Sequence, residues 1–577
     1  MKLDRKTAIT ALEEIALLLE LKGENPFKIR AYSNASRALN SMDGDVGAIL
    51  ASGELAETKG FGKALIEKLS ELAETGELEF LDKLRAEFPE SLLEMMRIPS
   101  VGPKKVKQFY EKLNISSVGE LEKACRDGRI AELPGLGKKT ADKILYSIAR
   151  MRESAGFFLF TEARGAAETV AAEMRTLPQV QRLEIAGSLR RFKEFTKDAD
   201  IIASSDDPKT VMEHFVNLSD VEVVQAHGET KSSILLKNGM QVDLRLVSDD
   251  TFPYALHHFT GSKDHNVAIR SRALKEGMKV SEWGLFRVGD GDEQELIPCM
   301  DEAALFEQLG LRQIPPELRE NLGEIEHAES ADFPKLVETA DYKGVLHCHT
   351  HASDGADSIE ELVAFAKNQG HEYLGITDHS RSSFQANGLD EERLYTQVER
   401  IESIRNEMAS GFELFAGVEC DIRPDGALDY EDDILERLDF FVVSVHSAFT
   451  QSQADMTTRV IKAIEHPGSR ILAHPSGRLL LKRDAYEIDM QKIIDAAAAN
   501  RVAIEFNCNP QRLDMDWRLW RSARDKGVLC SLNPDAHRLV QFDYVTDGIG
   551  FCRKGWLTAD DIINCWPAVK VRKFFEG

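Results

Sequence analysis

The sequence predicts a multidomain protein with a helical N-terminal part, a mixed α and β middle part and a C-terminal β/α barrel. Three observations lead to this fold class. The chain has 577 residues, enough for several domains of ordinary size. A motif of glycine, lysine and an amphipathic helix recurs in the first third. After about residue 340, short apolar runs that end in His, Asp or Glu alternate with helical segments.

The composition is that of a folded chain without a membrane span. Hydrophobic residues make up 43% and charged residues 29% of the sequence, and no run of about 18 apolar residues occurs. Acidic residues interrupt the apolar pattern of the N-terminus, which favours an amphipathic helix over a signal peptide. The eight cysteines form no CxxC pair. This is typical of reduced thiols, so we expect a cytoplasmic protein with no membrane partner.

Charge is distributed unevenly along the chain. The net charge of −25 argues against a protein that simply coats nucleic acid. The segment Arg97–Arg150 nevertheless contains twelve Lys and Arg against six Asp and Glu. This basic segment therefore indicates local binding of an anionic partner.

Three segments share a glycine turn followed by lysine and a helical apolar pattern: Arg97–Leu113, Glu132–Ile148 and, more weakly, Lys59–Leu72. Glycine lets another backbone approach the turn, and the following helix presents free N–H groups that suit a phosphate. One copy would fit a plain turn between helices, but three copies favour a helix-hairpin-helix element that binds DNA phosphates. The candidate DNA-binding residues are Gly60, Gly62, Lys63, Gly102, Lys104, Lys105, Gly135, Gly137, Lys138 and Lys139.

Three aspartates in the middle of the chain are candidate catalytic metal ligands. Asp198 and Asp200 lie two apart before an apolar run, and Asp243 lies in the alternating segment Gly239–Ser248. Residues two apart on a strand share a face, so the three carboxylates converge if the strands pair. Such carboxylates repel one another unless cations hold them, and two Mg²⁺ or Mn²⁺ ions would make a phosphoryl-transfer site. A solvated acidic strand face is the alternative.

A small turn just upstream favours the phosphoryl-transfer interpretation. Gly187 and Ser188 are followed by Arg190 and Arg191, and a hydroxyl beside guanidinium groups can hold a triphosphate. The series GSLRR, DAD and VDLRL resembles the family X DNA polymerases of the polymerase-beta type, as does HHFTGSKDHN at His257–Asn266.

The resemblance implies site residues and partners. It makes Asp198, Asp200 and Asp243 the ligands of two metals, with Asp243 nearest the primer 3′-OH, and it makes gapped or nicked DNA and dNTPs the substrates. The nucleotide-binding residues it implies are Gly187, Ser188, Arg191, His258, Phe259, Gly261, Asn266 and Arg270, the last on the template side. Lys197 and Phe192 depart from the family pattern and would place bulk beside the triphosphate turn. His258 stands where some relatives have a tyrosine that excludes ribonucleotides.

The N-terminal segments NPFKIRAYSNASRAL and GFGKALIEKL resemble the lyase-type domain of the same family. Lys68 falls at the position of a Schiff-base lysine in relatives that remove deoxyribose phosphate. A solvated lysine on a helix is the alternative for this residue.

The C-terminal part presents polar residues at the ends of successive apolar runs, as a β/α barrel does at its active-site face. His347 and His349 end the first run, and mixed His and carboxylate ligands suit Zn²⁺, Mn²⁺ or Fe²⁺. The motifs resemble the PHP (polymerase and histidinol phosphatase) family, which implies metal-dependent phosphoesterase chemistry and about three divalent ions. The nine matching positions are His347, His349, Asp354, His379, Glu419, His446, His474, Asp535 and His537. His351 is outside this set and is expected to face the ligands or the substrate.

Together these resemblances describe a family X polymerase with a C-terminal PHP domain. The expected domains, in chain order, are a lyase-like DNA-binding domain (1–80), helix-hairpin-helix fingers (81–150), palm (151–248), thumb (249–315), linker (316–341) and PHP domain (342–577). The implied function is gap filling in base-excision or end repair by a monomer, with 3′→5′ exonuclease or other phosphoesterase activity in the barrel. One alternative is a nuclease or phosphatase whose polymerase-like half only binds DNA. Another is a polymerase with a structural barrel.

Overall fold

The computed structural model describes residues 3–42, 46–53, 55, 58, 60–99, 101–288, 294–408 and 411–576. They form two compact units, Met1–Ala155 and Gly156–Gly577. None of the helices in these ranges is long and apolar enough to cross a membrane.

The first unit is built from helices around two apolar clusters, one formed by residues 3–84 and the other chiefly by residues 92–148. Its helices are α1 (Arg5–Lys22), α2 (Pro26–Ser41), α3 (Val46–Ser52), α4 (Lys63–Thr75), α5 (Glu79–Ala86), α6 (Glu90–Met96), α7 (Pro103–Leu113), α8 (Val118–Arg126) and α9 (Lys138–Ser154). The Asp4 carboxylate accepts a hydrogen bond from the Thr7 N–H at the start of α1, and Gly23, with φ 82°, ends this helix.

The second unit begins with the mixed sheet that contains the three aspartates. Its elements are β1 (Phe158–Leu159), α10 (Phe160–Arg175), β2 (Arg182–Ile185), α11 (Gly187–Arg190), β3 (Phe195–Thr196), β4 (Asp198–Ser204), α12 (Pro208–Val216), β5 (Val221–Ala226), β6 (Lys231–Leu236) and β7 (Gln241–Val247). The five-stranded sheet has the order β2-β4-β7-β6-β5. Only the β4–β7 pair is parallel among its neighbours, and α10 and α12 contribute to the apolar cluster that covers it.

A smaller α and β part follows. Its elements are α13 (Phe252–Thr260), α14 (Lys263–Lys275), β8 (Met278–Ser281), β9 (Gly284–Val288), β10 (Gln294–Ile297), α15 (Glu302–Gln308) and α16 (Glu324–Ser330). The strands form an antiparallel sheet in the order β10-β9-β8. The segment 316–341, which the sequence suggested as a linker, packs here, since Leu318, Ile325 and Leu336 are buried with Phe306 in one cluster.

The remainder of the chain is a distorted parallel β/α barrel. Its strands are β11 (Gly344–Val345), β12 (Tyr373–Ile376), β13 (Glu413–Ala416), β14 (Glu419–Asp421), β15 (Val442–Ser444), β16 (Ile471–Leu472), β17 (Ala503–Asn507) and β18 (Cys530–Asn533). Its helices are α17 (Ile359–Asn368), α18 (Glu391–Glu407), α19 (Asp432–Leu435), α20 (Gln453–Ile464), α21 (Met490–Asn500), α22 (Trp517–Asp525), α23 (Tyr544–Lys554) and α24 (Ala568–Glu576).

The barrel strands pair in two sheets, β11-β12-β13 and β14-β15-β16-β17-β18. Only Gly417 and Val418 separate β13 from β14, so these are two halves of one interrupted strand. Parallel bridges between His379 and Glu419 and between Cys348 and Ala536 join the two sheets at both junctions. The candidate ligands therefore sit where the sheets meet, at the carboxyl ends of the strands. A multidomain fold with these helical, mixed and barrel parts is what the sequence predicted.

Candidate active sites

The strands β4 and β7 bring the three middle aspartates together. In their parallel register Asp200 lies opposite Asp243, and Asp198 lies two residues before Asp200. Lys231 on the neighbouring strand β6 contacts Asp243, with its Nζ 2.6 Å from Oδ2. A lysine ammonium thus sits beside one carboxylate where a divalent ion would be needed.

The electrostatics of these acids are unequal. Burial raises the pKa of Asp200 to about 6, and the negative charges of Asp198 and Asp243 add to the rise. Burial also raises the pKa of Asp243, but hydrogen bonds from Lys231, Ser233 and Gln241 outweigh it, so that this pKa lies below its usual value. A carboxylate that resists ionisation among like charges is one that a cation would stabilise, and this fits a divalent-metal site.

One cavity of about 390 Å³ lies beside Asp198 and Asp200. All eight residues that the family resemblance assigned to nucleotide binding line it. They are Gly187, Ser188, Arg191, His258, Phe259, Gly261, Asn266 and Arg270. Lys263, which the family resemblance did not assign, lines the cavity as well.

The turn between β2 and β4 is shaped by Gly187. Its φ is +60°, and a Cβ added there would lie 2.3 Å from Oδ2 of Asp200. Glycine is therefore needed both for the backbone conformation and for the close approach to the carboxylate. Ser188 Oγ lies 2.7 Å from Thr196 Oγ1, and Arg191 is held through its Nε, 3.2 Å from Glu320.

The nucleotide side of the cavity is formed by α13, α14 and the turn between them. Gly261 takes a φ of +69°, which favours glycine. Asn266 Nδ2 donates to the His258 carbonyl at 2.7 Å, and the Arg245 guanidinium lies 4.1 Å from the centre of the Phe259 ring. Burial lowers the pKa of His258, so this imidazole favours its neutral form.

The two residues that depart from the family pattern are directed away from the cavity. Phe192 stacks on Phe160 at 4.9 Å and meets Phe551 of the barrel edge-on at 5.6 Å. Lys197 lies over the ring of Phe157 at 4.6 Å. Neither lines the cavity. Their bulk therefore does not fill the triphosphate turn, contrary to what the sequence suggested.

The barrel gathers its candidate ligands into three overlapping groups. They are His349, Asp354, His379 and His537; His347, His349 and Asp535; and His379, Glu419 and His446. His474 joins them through its Nε2, 2.9 Å from Glu419 Oε1. All nine positions that the PHP resemblance implied thus lie together. His351 is in none of these groups; it is exposed, and its Nδ1 lies 3.3 Å from the Asp357 carbonyl.

Several polar atoms of this cluster lack hydrogen-bond partners and are arranged as metal ligands would be. Among the described side chains, buried atoms without a hydrogen bond include His347 Nε2, His379 Nδ1 and Glu419 Oε2. His379 Nδ1 and Glu419 Oε2 nevertheless lie only 2.9 Å apart. Buried polar atoms that approach without bonding are costly unless a cation joins them. The donor set of His and carboxylate is typical of Zn²⁺, Mn²⁺ or Fe²⁺.

The protonation of the barrel histidines is uneven. Burial lowers the pKa of His446, but Glu419 and Asp421 raise it to about 10. Burial also lowers the pKa of His537, and Asp354 and Asp535 raise it to about 9. Burial lowers the pKa of His349 to about 4, helped by the charges of His537 and His379. Metal binding at this site would therefore release protons from some histidines.

Two acids hold the ligands in place, and the sequence reasoning did not assign them. Glu505 Oε1 lies 2.7 Å from His347 Nδ1, and Asp421 Oδ1 lies 2.6 Å from His446 Nδ1. Each contacts one imidazole nitrogen and leaves Nε2 for a metal, as outer carboxylates usually do. Their positions in the sequence could have indicated this role, since Glu505 ends an apolar run and Asp421 lies two residues after Glu419 on β14.

The glycine hairpins of the first unit present open helix starts. Gly62, Gly102 and Gly137 precede α4, α7 and α9 without a side-chain cap. Apart from their chain neighbours and their own helices, no atom of the described residues lies within 4 Å of a Cβ added at any of the three, so an external backbone has room to approach. The left-handed turns are instead at Gly60 and Gly135, with φ of +105° and +80°.

The predicted lysines lie at these helix starts. Lys63, Lys104, Lys138 and Lys139 are exposed and Lys105 is half-buried, all in the first turns of α4, α7 and α9. Lys59 of the weakest segment lies outside the described residues. Lys68, the candidate lyase residue, is half-buried, with its Nζ 4.7 Å from the centre of the Phe80 ring and 3.3 Å from the Ala64 carbonyl. Its lyase role stays a prediction.

Known proteins resemble the chain part by part and as a whole. Family models described as helix-hairpin-helix domain, SAM-like helix-hairpin-helix tandem, DNA polymerase beta thumb and PHP domain match residues 4–78, 92–150, 255–320 and 346–509. The DNA polymerase/3′-5′ exonuclease PolX of Bacillus subtilis is 36% identical over 574 residues, 99% of each chain. A probable phosphatase of Caldicellulosiruptor saccharolyticus is 29% identical over 33% of this chain and 78% of its own.

The resemblance to family X polymerases with a PHP domain is thereby confirmed, and the matched helix-hairpin-helix domains imply DNA binding. Since the identity to the Bacillus subtilis protein extends along nearly the whole chain, the protein belongs to the PolX family of DNA polymerases/3′-5′ exonucleases.

Proposed function

We propose that the chain is a DNA-directed DNA polymerase that fills short gaps during DNA repair and that its barrel is a metal-dependent 3′→5′ exonuclease. The observation that supports this most directly is that all eight candidate nucleotide-binding residues line one cavity beside Asp198 and Asp200. The ligand cluster of the barrel forms a second, separate set of residues.

In the polymerase site, Asp198, Asp200 and Asp243 would hold two Mg²⁺ or Mn²⁺ ions. Bound ions of this kind stabilise the attacking and leaving oxygens of an in-line phosphoryl transfer. Asp243 lies nearest the primer 3′-OH, and Lys231 compensates its charge before metal binds. Ser188 and Arg191 bind the triphosphate, and Lys263 adds a positive charge at the same cavity.

The other cavity residues orient the nucleotide and the template. Phe259 and Gly261 lie against the incoming dNTP, and Arg245 fixes the Phe259 ring from behind. Asn266 holds the His258 carbonyl while it contacts the nucleotide. Arg270 lines the same cavity and would contact the template side. His258, with its lowered pKa, presents a neutral imidazole near the sugar rather than a cation.

In the barrel, the nine ligands from His347 to His537 would hold about three divalent ions, for which we propose Mn²⁺, Zn²⁺ or Fe²⁺. Such ions act as Lewis acids toward a phosphate ester and supply a nucleophile at neutral pH. Glu505 and Asp421 orient His347 and His446 for this task. Glu419 contacts His379, His446 and His474 and so ties the ligands of the two sheets together.

The helix-hairpin-helix domains would bind the gapped DNA through its phosphates. The open helix starts at Gly62, Gly102 and Gly137 admit the DNA backbone, and the adjacent lysines neutralise its charge. A lyase role for Lys68 in base-excision repair is part of this proposal. The alternative of a nuclease with an inactive polymerase half is not favoured, because Phe192 and Lys197 leave the cavity open and the full-length relative is named for both activities.

The test uses a one-nucleotide gapped DNA with a labelled primer, Mn²⁺ and the purified chain, with and without dNTPs. We expect extension by one nucleotide with dNTPs and shortening from the 3′ end without them. Shortening under both conditions would reject the polymerase proposal. Extension without any shortening would reject the exonuclease proposal, and 3′-phosphate ends would then test the barrel for phosphatase activity.

A further inference from the structure

A lysine of the barrel reaches the triphosphate turn of the polymerase site. Lys554 ends helix α23, and its side chain is fully buried, with 0% exposed. Its Nζ donates to the Arg191 carbonyl at 2.6 Å, to the Glu317 carbonyl at 3.1 Å and to Glu320 Oε1 at 2.7 Å. One barrel side chain thus joins two backbone segments and one carboxylate of the neighbouring part of this unit.

The same carboxylate holds the arginine that lines the nucleotide cavity. Glu320 lies 3.2 Å from Arg191 Nε and 3.4 Å from Lys193 Nζ. The Nη1 of Arg191 donates to the Thr260 carbonyl, and its side chain lines the cavity. Lys554 therefore acts on Arg191 twice, through its backbone carbonyl and through the Glu320 carboxylate.

The charge of this cluster suits an anionic ligand. Three cations, Lys554, Arg191 and Lys193, surround one carboxylate, Glu320, and leave a net positive charge beneath the turn. Burying an ammonium is costly, and an apolar side chain of the same length could fill the space more cheaply if packing were the only requirement. The contacts of Lys554 instead fix the direction of a guanidinium.

We propose that Lys554 of the barrel is a positioning residue for the polymerase reaction, which orients Arg191 toward the triphosphate of the incoming dNTP through Glu320 and the Arg191 carbonyl. The inference rests on the proposed function of the cavity as the dNTP site. It makes the barrel part of the polymerase active site in addition to its own hydrolytic role. Lys554 does not touch the substrate in this account.

The test compares Lys554→Met with the unchanged full-length chain in steady-state gap filling. We expect the KM for dNTP to rise about tenfold while kcat changes by less than about twofold, because Arg191 binds the ground-state triphosphate less well. Nuclease activity should stay the same and would report that the barrel, which contains residue 554, is folded. Lys554→Arg, which keeps the positive charge, should restore part of the affinity for dNTP.

Arg521→Ala is the matched control. Arg521 donates to the Leu322 carbonyl at 3.1 Å and lies over Trp556 at 4.3 Å, so it joins the same parts of the unit without touching Glu320 or Arg191. Its loss should leave the KM for dNTP unchanged. An equal rise in both variants would mean a general loosening of the interface and would overturn the proposal.

Loss of both incorporation and nuclease activity would show that Lys554→Met does not fold, and a second variant is used in that case. Glu320→Gln keeps the side-chain shape and removes the charge between Lys554 and Arg191. It should raise the KM for dNTP and leave the Kd for gapped DNA unchanged. An unchanged KM in this variant, or in a folded Lys554→Met, would overturn the inference. If the unchanged chain incorporated no dNTP, the proposed function would fail instead.

Discussion

Replacing Asp200 by Asn should stabilise the metal-free protein while it abolishes nucleotide incorporation. In the metal-free state, burial and the charges of Asp198 and Asp243 raise the pKa of Asp200 from 3.8 to about 6. One pKa unit corresponds to about 1.4 kcal/mol, so the ionised carboxylate costs the fold about 3 kcal/mol above that pKa. Asn has nearly the same shape and no charge, so the variant avoids this cost.

The pH dependence has a defined sign. Since the folded-state pKa of Asp200 is raised, the folded protein binds the proton more tightly than the unfolded chain, and the cost grows as the pH rises from 3.8 to about 6. The variant should therefore exceed the unchanged chain by about 3 kcal/mol in free energy of unfolding at pH 8, and by about half of that at pH 5.

Denaturant unfolding in the presence of EDTA measures this difference. All five tryptophans lie in the second unit, so their fluorescence reports the unit that contains Asp200. Asp206→Asn is the control, because Asp206 is an exposed acid that follows the same strand. An unchanged midpoint for Asp200→Asn at pH 8, or a gain of the same size at pH 5, would refute the electrostatic reasoning.

Three further predictions follow from contacts at the two sites and at the hairpins. Gly187→Ala should lower incorporation at least about 100-fold and spare the nuclease, because its Cβ would meet Asp200; primer extension with saturating dNTP measures this. Glu505→Gln should weaken Mn²⁺ binding in the barrel about 10- to 100-fold by loosening His347. Nuclease activity measured over a range of Mn²⁺ concentrations tests this, and nucleotide incorporation should be unchanged. Lys138→Ala should weaken the binding of all DNA sequences alike and reduce the slope of log association constant against log salt concentration by about 1. DNA-binding titrations over a range of salt concentrations measure this, and a variant that binds DNA as tightly as the unchanged chain at every salt concentration would count against the hairpin assignment.

The aspartates of the polymerase site and the strand-end residues of the barrel could be predicted from local periodicity, whereas the nucleotide-binding residues were implied by the family resemblance. Asp198 and Asp200 share a strand face by their spacing, and the barrel histidines end apolar runs one after another. The sequence alone did not establish that β4 pairs with β7, since a parallel pair with 36 residues between its strands depends on tertiary packing.

Other features depend on contacts between distant segments and left no local signal. Phe192 suggested an obstructed triphosphate turn, yet its ring packs on Phe551 of the barrel. The sequence around Lys554 predicts only a charged residue at a helix end, yet its side chain is buried against Glu320. Gly417 lies between β13 and β14, and a Cβ there would lie 2.7 Å from Phe440, so this position requires glycine. Sequence spacing does not encode such approaches.

The most direct test of two independent active sites on one chain is a pair of variants assayed on the same gapped DNA. Asp200→Ala should abolish dNTP incorporation and retain 3′→5′ shortening of the primer, because it removes a carboxylate of the cavity alone. His349→Ala should abolish shortening and retain incorporation, because His349 belongs to two of the three ligand groups of the barrel. Loss of both activities in either variant, with the fold intact, would contradict the account.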